Sequence, residues 1–254
     1  MIYKNYLIEM DCLIHHGVRR QGAITLIDCL HENRIPYLII SEQSARTRTQ
    51  TAQIMNERGF HGVRPANIYT STMAAVDWVM WNHPERKKAS YIGGYGLKQT
   101  LEEGGLTVSF RDSQLLFVGM NRNMTYAEYS DALQALLDGA LLLSTDSRRT
   151  QAVSSRQMIG SGAVVRMLEY AADVKAEEFG RGSANIFEAA LRYMRLEKEQ
   201  VIFVGTDFHK DIIPAHYAGL ETVFAANGAN ILELGMNEEL HPDYIIEDLI
   251  GLTV

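Results

Sequence analysis

Short apolar runs alternate with stretches of helical periodicity from one end of the chain to the other. Tyr6-Leu7-Ile8 reads as a first buried strand, and Ala23 to Glu32 follows with Ile24, Ile27, Cys29 and Leu30 at roughly helical spacing. Tyr37-Leu38-Ile39-Ile40 is a second strand, Gln43 to Arg58 a helix stopped by Gly59, and Asn67-Ile68-Tyr69-Thr70 a third strand. A helix then runs to about Asn82, with Pro84 just beyond. The pattern continues with Ser90-Tyr91-Ile92, the strand Leu115 to Val118, the amphipathic helix Tyr126 to Leu137, Leu141-Leu142-Leu143, and the helix Gly162 to Ala172. Asn185 to Met194 places Phe187, Ala190, Leu191 and Met194 on one helix face, with Ser183 as its cap. Val201 to Val204 and Thr222 to Ala225 return to buried strands. Strictly alternating elements of this kind predict a parallel α/β architecture, and the middle block can hold a small sheet of its own.

Composition narrows the classes. The 254 residues are ample for one substantial core or two modest ones, and a net charge of -7 argues against a nucleic-acid or anionic-membrane surface. No apolar run approaches the roughly 20 residues needed to span a bilayer, so no membrane partner is expected. Met1 to Asn5 leads straight into a strand pattern and lacks a signal-peptide layout. Cys12 and Cys29, the two cysteines, do not form a disulfide framework, which suits a reducing cytoplasm.

In open α/β sheets ligands lie at the carboxyl ends of the strands. Glu9 and Asp11 follow the first strand, Ser41 the second, and Thr206 and Asp207 follow Val204. Gly180-Arg181-Gly182-Ser183 adds a cation shortly before a helix start. Acids, a hydroxyl and a cation in these places suit an anion, a metal, or both.

The same residues carry a family resemblance. The chain resembles the haloacid dehalogenase superfamily, in particular the NagD-type and p-nitrophenyl phosphatase-like proteins, over essentially its whole length. Glu9-Met10-Asp11-Cys12 stands where that family carries Asp-x-Asp-Gly, and Gly17 and Pro36 to Ile40 follow. Ser44-Ala45-Arg46-Thr47 resembles the family's Ser-Ser-Arg-Thr. Tyr69 to Ala75, Gly160-Ser161-Gly162-Ala163, Ile186 to Leu191, Val204-Gly205, Asp211-Ile212 and Ala218 to Thr222 complete the match. The resemblance implies a Rossmann-like core, residues 1–76 and 176–254, with an α/β cap domain inserted as residues 77–175. It also implies catalytic roles for Glu9, Asp11, Ser41 and Arg181. Phosphate contacts would come from Ser41, Glu42 and Arg181, and a magnesium site from Glu9, Asp11, Thr206, Asp207 and Asp211.

Departures from the family pattern bear on activity. Glu9 replaces the attacking aspartate, and one extra methylene moves a carboxylate by about 1 Å, a misplacement that can cost on the order of 100-fold. Cys12 replaces a glycine, Arg181 a lysine, and Thr206 an aspartate that ligates magnesium. Asp207 is one residue away from that ligand position, and His209 replaces another residue that is often acidic. Asp146-Ser147-Arg148-Arg149 occupies the stretch where relatives show Asn-Pro-Asp. We therefore expect a catalytically impaired phosphatase homologue that keeps an anion-binding cleft for a small phosphorylated molecule or an inorganic anion. The alternative is an active hydrolase of small phosphate esters using Glu9 and Asp11, with magnesium as its cofactor. A structural subunit, associating with further copies through the cap, is a third reading.

Plainer roles compete for several residues. Glu9 can be a solvated strand-end acid, and Arg181 can pair with Glu9 or Asp11 in place of a metal. His15, His16 and His209 could join Asp11 at a transition metal, although a His-His pair in a loop more commonly supplies surface polarity. Cys12 can be a reactive thiol or a small buried filler. Trp78, Met80 and Trp81 are expected to pack helix faces or the seam between core and cap, and Lys87-Lys88 to be solvated.

Overall fold

A computed structural model describes residues 4–153, 155–237 and 239–252; the first three residues of the N-terminal stretch discussed above lie outside them. The described chain forms two compact units. Among the described residues the first comprises those of 4–41, 48–69 and 187–252, and the second those of 42–47 and 70–186. The second unit thus extends beyond the expected 77–175 at both ends. Its N-terminal extension follows from the helix Ser71–Asn82, which packs on the helix Tyr95–Glu103 of the same unit.

The first unit is built on a six-stranded sheet. In spatial order its strands are Tyr244–Ile246, Glu221–Ala225, Val201–Gly205, Asn5–Glu9, Tyr37–Ser41 and Ile68–Thr70. The strand Asn5–Glu9 lies at the centre and pairs in parallel with Val201–Gly205 on one side and Tyr37–Ser41 on the other. Such central strands bury both faces, which explains why they read as continuous apolar runs. Leu7 and Ile8 are fully buried, and the helix Ala23–Glu32 covers one face through Leu26, Ile27 and Leu30. On Val201–Gly205, Phe203 meets Phe187 edge to face, with ring centroids 4.7 Å apart.

The second unit has its own five-stranded sheet, in the order Glu177–Glu178, Leu141–Ser144, Leu115–Val118, Lys88–Ile92 and Thr107–Val108. All of its pairings are parallel. The helices Tyr126–Leu137 and Ser161–Ala172 bury Leu136, Val165 and Leu168 against it. Trp78 packs on Phe179 and His83, whereas Trp81 is 41% exposed.

Two local structures differ from the pattern reading. The helix expected from Gln43 begins only at Arg48, because the Gln43 side chain accepts the backbone N–H groups of Ala45 and Arg46 and turns the chain there. Ile14–His15 and Val18–Arg19 form a small antiparallel hairpin, turned by His16 and Gly17 at φ 50° and 81°. Two positive φ values in succession match the twist of a tight hairpin, and glycine accommodates the second without strain. Among the described residues no helix is long and apolar enough to cross a membrane.

Candidate active site

The first unit brings Glu9, Asp11, Ser41, Thr206, Asp207 and Asp211 to the carboxyl ends of three adjacent parallel strands. Glu9 ends the central strand and caps the one-turn helix Met10–Leu13. Its Oε2 accepts the backbone N–H of Asp11 at 2.6 Å. The side chain is nearly buried, which excludes a solvated strand-end role. Ser41 ends the neighbouring strand, also buried.

Asp11 projects from the first turn of that helix. Its Oδ2 lies 3.6 Å from Nδ1 of His15, and the Arg20 guanidinium reaches its carbonyl oxygen. Desolvation holds the His15 imidazole below its ordinary pKa, and the Asp11 carboxylate opposes that shift. His15 and His16 touch edge to face. Cys12 turns away from this surface: it is fully buried in the core, and its thiol donates to the carbonyl of Val204 at 3.3 Å. It is a core filler, not a group facing a ligand.

The loop after Val204 is organised by its own acids. Asp211 is buried, and its Oδ2 accepts the N–H groups of Thr206 and Asp207 at 2.9 and 2.8 Å. Gly205 makes this possible, since a Cβ there would lie 2.5 Å from Cβ of Asp211. Asp207 caps the next turn, accepting the N–H groups of His209 and Lys210 at 3.0 Å each. Asp207, considered above as a spare metal ligand, thus commits one carboxylate oxygen to capping.

These donors bear on the magnesium site that the resemblance implies. Among the described residues no three His, Cys, Asp or Glu side chains converge as a metal cage, so the His15–His16–His209 grouping is not assembled either. Glu9 and Asp211 each commit a carboxylate oxygen to backbone N–H groups, and Thr206 brings only a neutral hydroxyl. A hard cation needs charged oxygen ligands directed at it, so this donor set does not fit the implied arrangement.

The second unit corrects the reading of Glu42. Its carboxylate, expected beside a phosphate, faces inward: Oε1 accepts from the hydroxyl of Ser147 at 3.1 Å and from the backbone N–H groups of Ser147 and Arg181. Like charge would in any case repel a phosphate from a carboxylate. Oε2 lies 3.8 Å from Nε of Arg148, whose guanidinium grips Asp146 through bonds of 2.8 and 2.5 Å. Asp146 is fully buried and also accepts the hydroxyl of Ser161 at 3.1 Å. The four-residue stretch that departs from the family's Asn-Pro-Asp thus contributes three members of this network. Sequence reasoning marked the departure but could not pair it with Glu42, 104 positions before Asp146.

Burial, and then the Asp146 charge, hold the Glu42 carboxyl above its ordinary pKa near 4.5, while Arg148 and the two N–H groups pull it down. The sign follows from linkage. A folded pKa above the unfolded one contributes stability that is full below about 4.5 and is lost as pH rises through the folded value. Glu42→Gln cannot ionise and keeps an acceptor oxygen. Its stability relative to the parent should therefore rise between pH 4.5 and neutrality, as measured by urea unfolding at a series of pH values. A constant difference across that range would exclude the shift.

Comparison with known proteins agrees with this architecture. A haloacid dehalogenase-like hydrolase model matches residues 7–107, and a HAD-hydrolase-like model matches residues 179–252. The acid sugar phosphatase of Staphylococcus epidermidis is 28% identical over 249 residues, covering 97% of this chain and 95% of that protein. A mutant of the thermostable p-nitrophenylphosphatase from Bacillus stearothermophilus superposes with a TM-score of 0.89 at 29% identity, covering 98% of this chain and 97% of that one. NagD from Escherichia coli shares the fold, with a TM-score of 0.86 at 24% identity and 98% coverage of both chains. With both parts of the sheet matched, the chain belongs to the haloacid dehalogenase-like hydrolases.

Proposed function

We propose that this protein hydrolyses small phosphate monoesters, sugar phosphates among them, and does so slowly. The observation that carries this reading is the pair Glu9 and Asp11, held two residues apart at the carboxyl end of the central strand, with the Glu9 carboxylate oriented by the Asp11 N–H. Full-length similarity to acid sugar phosphatases supports the substrate class.

In this reading a Glu9 oxygen attacks phosphorus while the bond from phosphorus to the ester oxygen breaks. Asp11 delivers its proton to the departing alcohol. Water then attacks the acyl phosphate and gives a proton back to Asp11. The Glu9 carboxylate is restored and inorganic phosphate leaves. The Ser41 hydroxyl would hold a phosphoryl oxygen. Magnesium enters only as an assay condition, because the residues present do not fit its site.

A second reading, a homologue that binds phosphate but no longer turns it over, is favoured by the hydrogen bonds that occupy Glu9 and Asp211 and by the neutral Thr206. One experiment separates the two. Glucose 6-phosphate and an aryl phosphate are incubated with the parent and with Glu9→Gln, each with and without millimolar magnesium. Parental turnover that Glu9→Gln lowers by at least about 100-fold supports the hydrolase. Parental turnover no higher than that of Glu9→Gln establishes the binding homologue.

A further inference from the structure

The strands Thr150–Val153 and Arg156–Ile159 form a hairpin that pairs with no other strand among the described residues. A lone hairpin is marginally stable in water, so its place depends on what it packs against. Its base is pinned beside the helix Ser161–Ala172. The N–H groups of Gly160 and Gly162 donate to the carbonyls of Arg149 and Arg148 at 2.9 Å each, and a Cβ on either glycine would collide with backbone. Past that base the strand Arg156–Ile159 is exposed along its whole length, Met158 and Ile159 included. Hairpin and helix instead line a cavity of about 900 Å³, formed entirely by residues of the second unit.

Native interiors are close-packed, with few voids larger than a water molecule, and a space of this size falls within the range of small-molecule sites. Its wall has two chemistries. Ile92, Tyr129 and Val164, which belong to the buried core of this unit or pack against it, form an apolar side. Met120, Met158 and Met167 add flexible thioethers. Arg122 and Arg156 supply the charge. Arg122 is held toward the hairpin by a hydrogen bond from its Nη2 to Oε1 of Gln151 at 3.2 Å. Among the described residues no carboxylate lines the cavity.

We infer that this cavity binds an aliphatic monocarboxylate, with its chain among the methionines and aliphatic side chains and its carboxylate taken by Arg122 and Arg156. Three features select this class. A wall with positive charge and no carboxylate rewards anions and rejects cations. The guanidinium fork matches a planar carboxylate, and one negative charge is less costly to strip of water than the double charge of a phosphate monoester. Among the described residues Tyr129 is the one ring on the wall, so stacking contributes little, and flexible methionines fit an unbranched chain. The site lies within one unit and is independent of turnover at Glu9 and Asp11.

Decanoate, decanol and decylammonium titrated calorimetrically into the full chain provide the test. Decanoate should bind at least about tenfold more tightly than decanol, the worth of a charge-assisted hydrogen bond, and decylammonium more weakly than either. Octanoate should bind about 15-fold more weakly than decanoate, because each buried methylene is worth about fourfold. Saturating decanoate should also slow backbone amide exchange across both hairpin strands. Ala163 lines the cavity from the first turn of the helix, so Ala163→Phe fills the space and should abolish decanoate binding. The double variant Arg122→Met, Arg156→Met keeps apolar bulk at both positions and should bring decanoate down to the affinity of decanol; it also decides the matter if Ala163→Phe does not fold. Equal affinities of the parent for decanoate and decanol overturn the inference. Decanoate binding unchanged in the double variant overturns it as well, whatever Ala163→Phe does. A parent that binds no decanoate overturns it outright, while the proposed hydrolase stands or falls on its own turnover assay.

Discussion

The triple variant Glu9→Asp, Arg181→Lys, Thr206→Asp should hydrolyse an aryl phosphate in millimolar magnesium at least about 100-fold faster than the parent. Glu9→Asp withdraws the carboxylate by one methylene toward the position that the family's chemistry uses. Thr206→Asp places a charged oxygen in a loop whose backbone is already fixed by Asp211. Arg181→Lys exchanges a planar fork for the family's point charge. Residues that act as a unit are non-additive, so each single change should recover only a small part of the gain. Cys12→Gly, the remaining change toward the family pattern, should add nothing to rate. Its thiol is bonded to the Val204 carbonyl inside the core, and glycine in that helical turn costs about 1 kcal/mol. A folded triple variant no faster than the parent would place the limit outside these three residues.

Arg148→Ala should destabilise the second unit strongly for a change at a partly exposed residue. It strips the guanidinium from Asp146, which has no solvent contact, and withdraws the neighbouring positive charge from Glu42. Breaking a buried pair and leaving its carboxylate behind costs about 3–5 kcal/mol. Arg148 itself is 37% exposed, so entering water will repay part of this, and a loss of roughly 3 kcal/mol is expected. Urea unfolding followed by amide exchange in the helix Ser161–Ala172 would report it, because Ser161 shares the same carboxylate. A loss below about 1 kcal/mol would show that water replaces the guanidinium without penalty.

The contrast between well-read and misread segments has a physical basis. Leu7, Ile8, Val204 and Val223 sit in strands buried on both faces, and such strands announce themselves as apolar runs whatever their neighbours are. Gln43 was misread as the start of a helix because a side chain that accepts its own backbone amides leaves no trace in hydrophobic periodicity. Glu9 and Asp11 were legible as candidate chemistry, since the carboxyl end of a central parallel strand follows from strand order alone. Glu42 was not. Beside Ser41 it read as a phosphate neighbour, and its inward turn depends on Ser147, Arg148 and Arg181, more than 100 positions away.

The sequence by itself determined the parallel α/β class, the strand ends that carry polar chemistry and the family to which the chain belongs, because these rest on local periodicity and on motif order. Only the tertiary structure decided what each acid does. Whether a carboxylate faces a ligand, caps a turn or braces a loop depends on which N–H groups and cations the fold brings within about 3 Å, and chain spacing does not encode that. Asp211 became a brace for Thr206 and Asp207, Asp207 a cap, Cys12 a core filler and Glu42 a clamp. For Asp211, Cys12 and Glu42 burial made an unpaired polar group costly, and for half-exposed Asp207 the free N–H groups of the next turn settled the role.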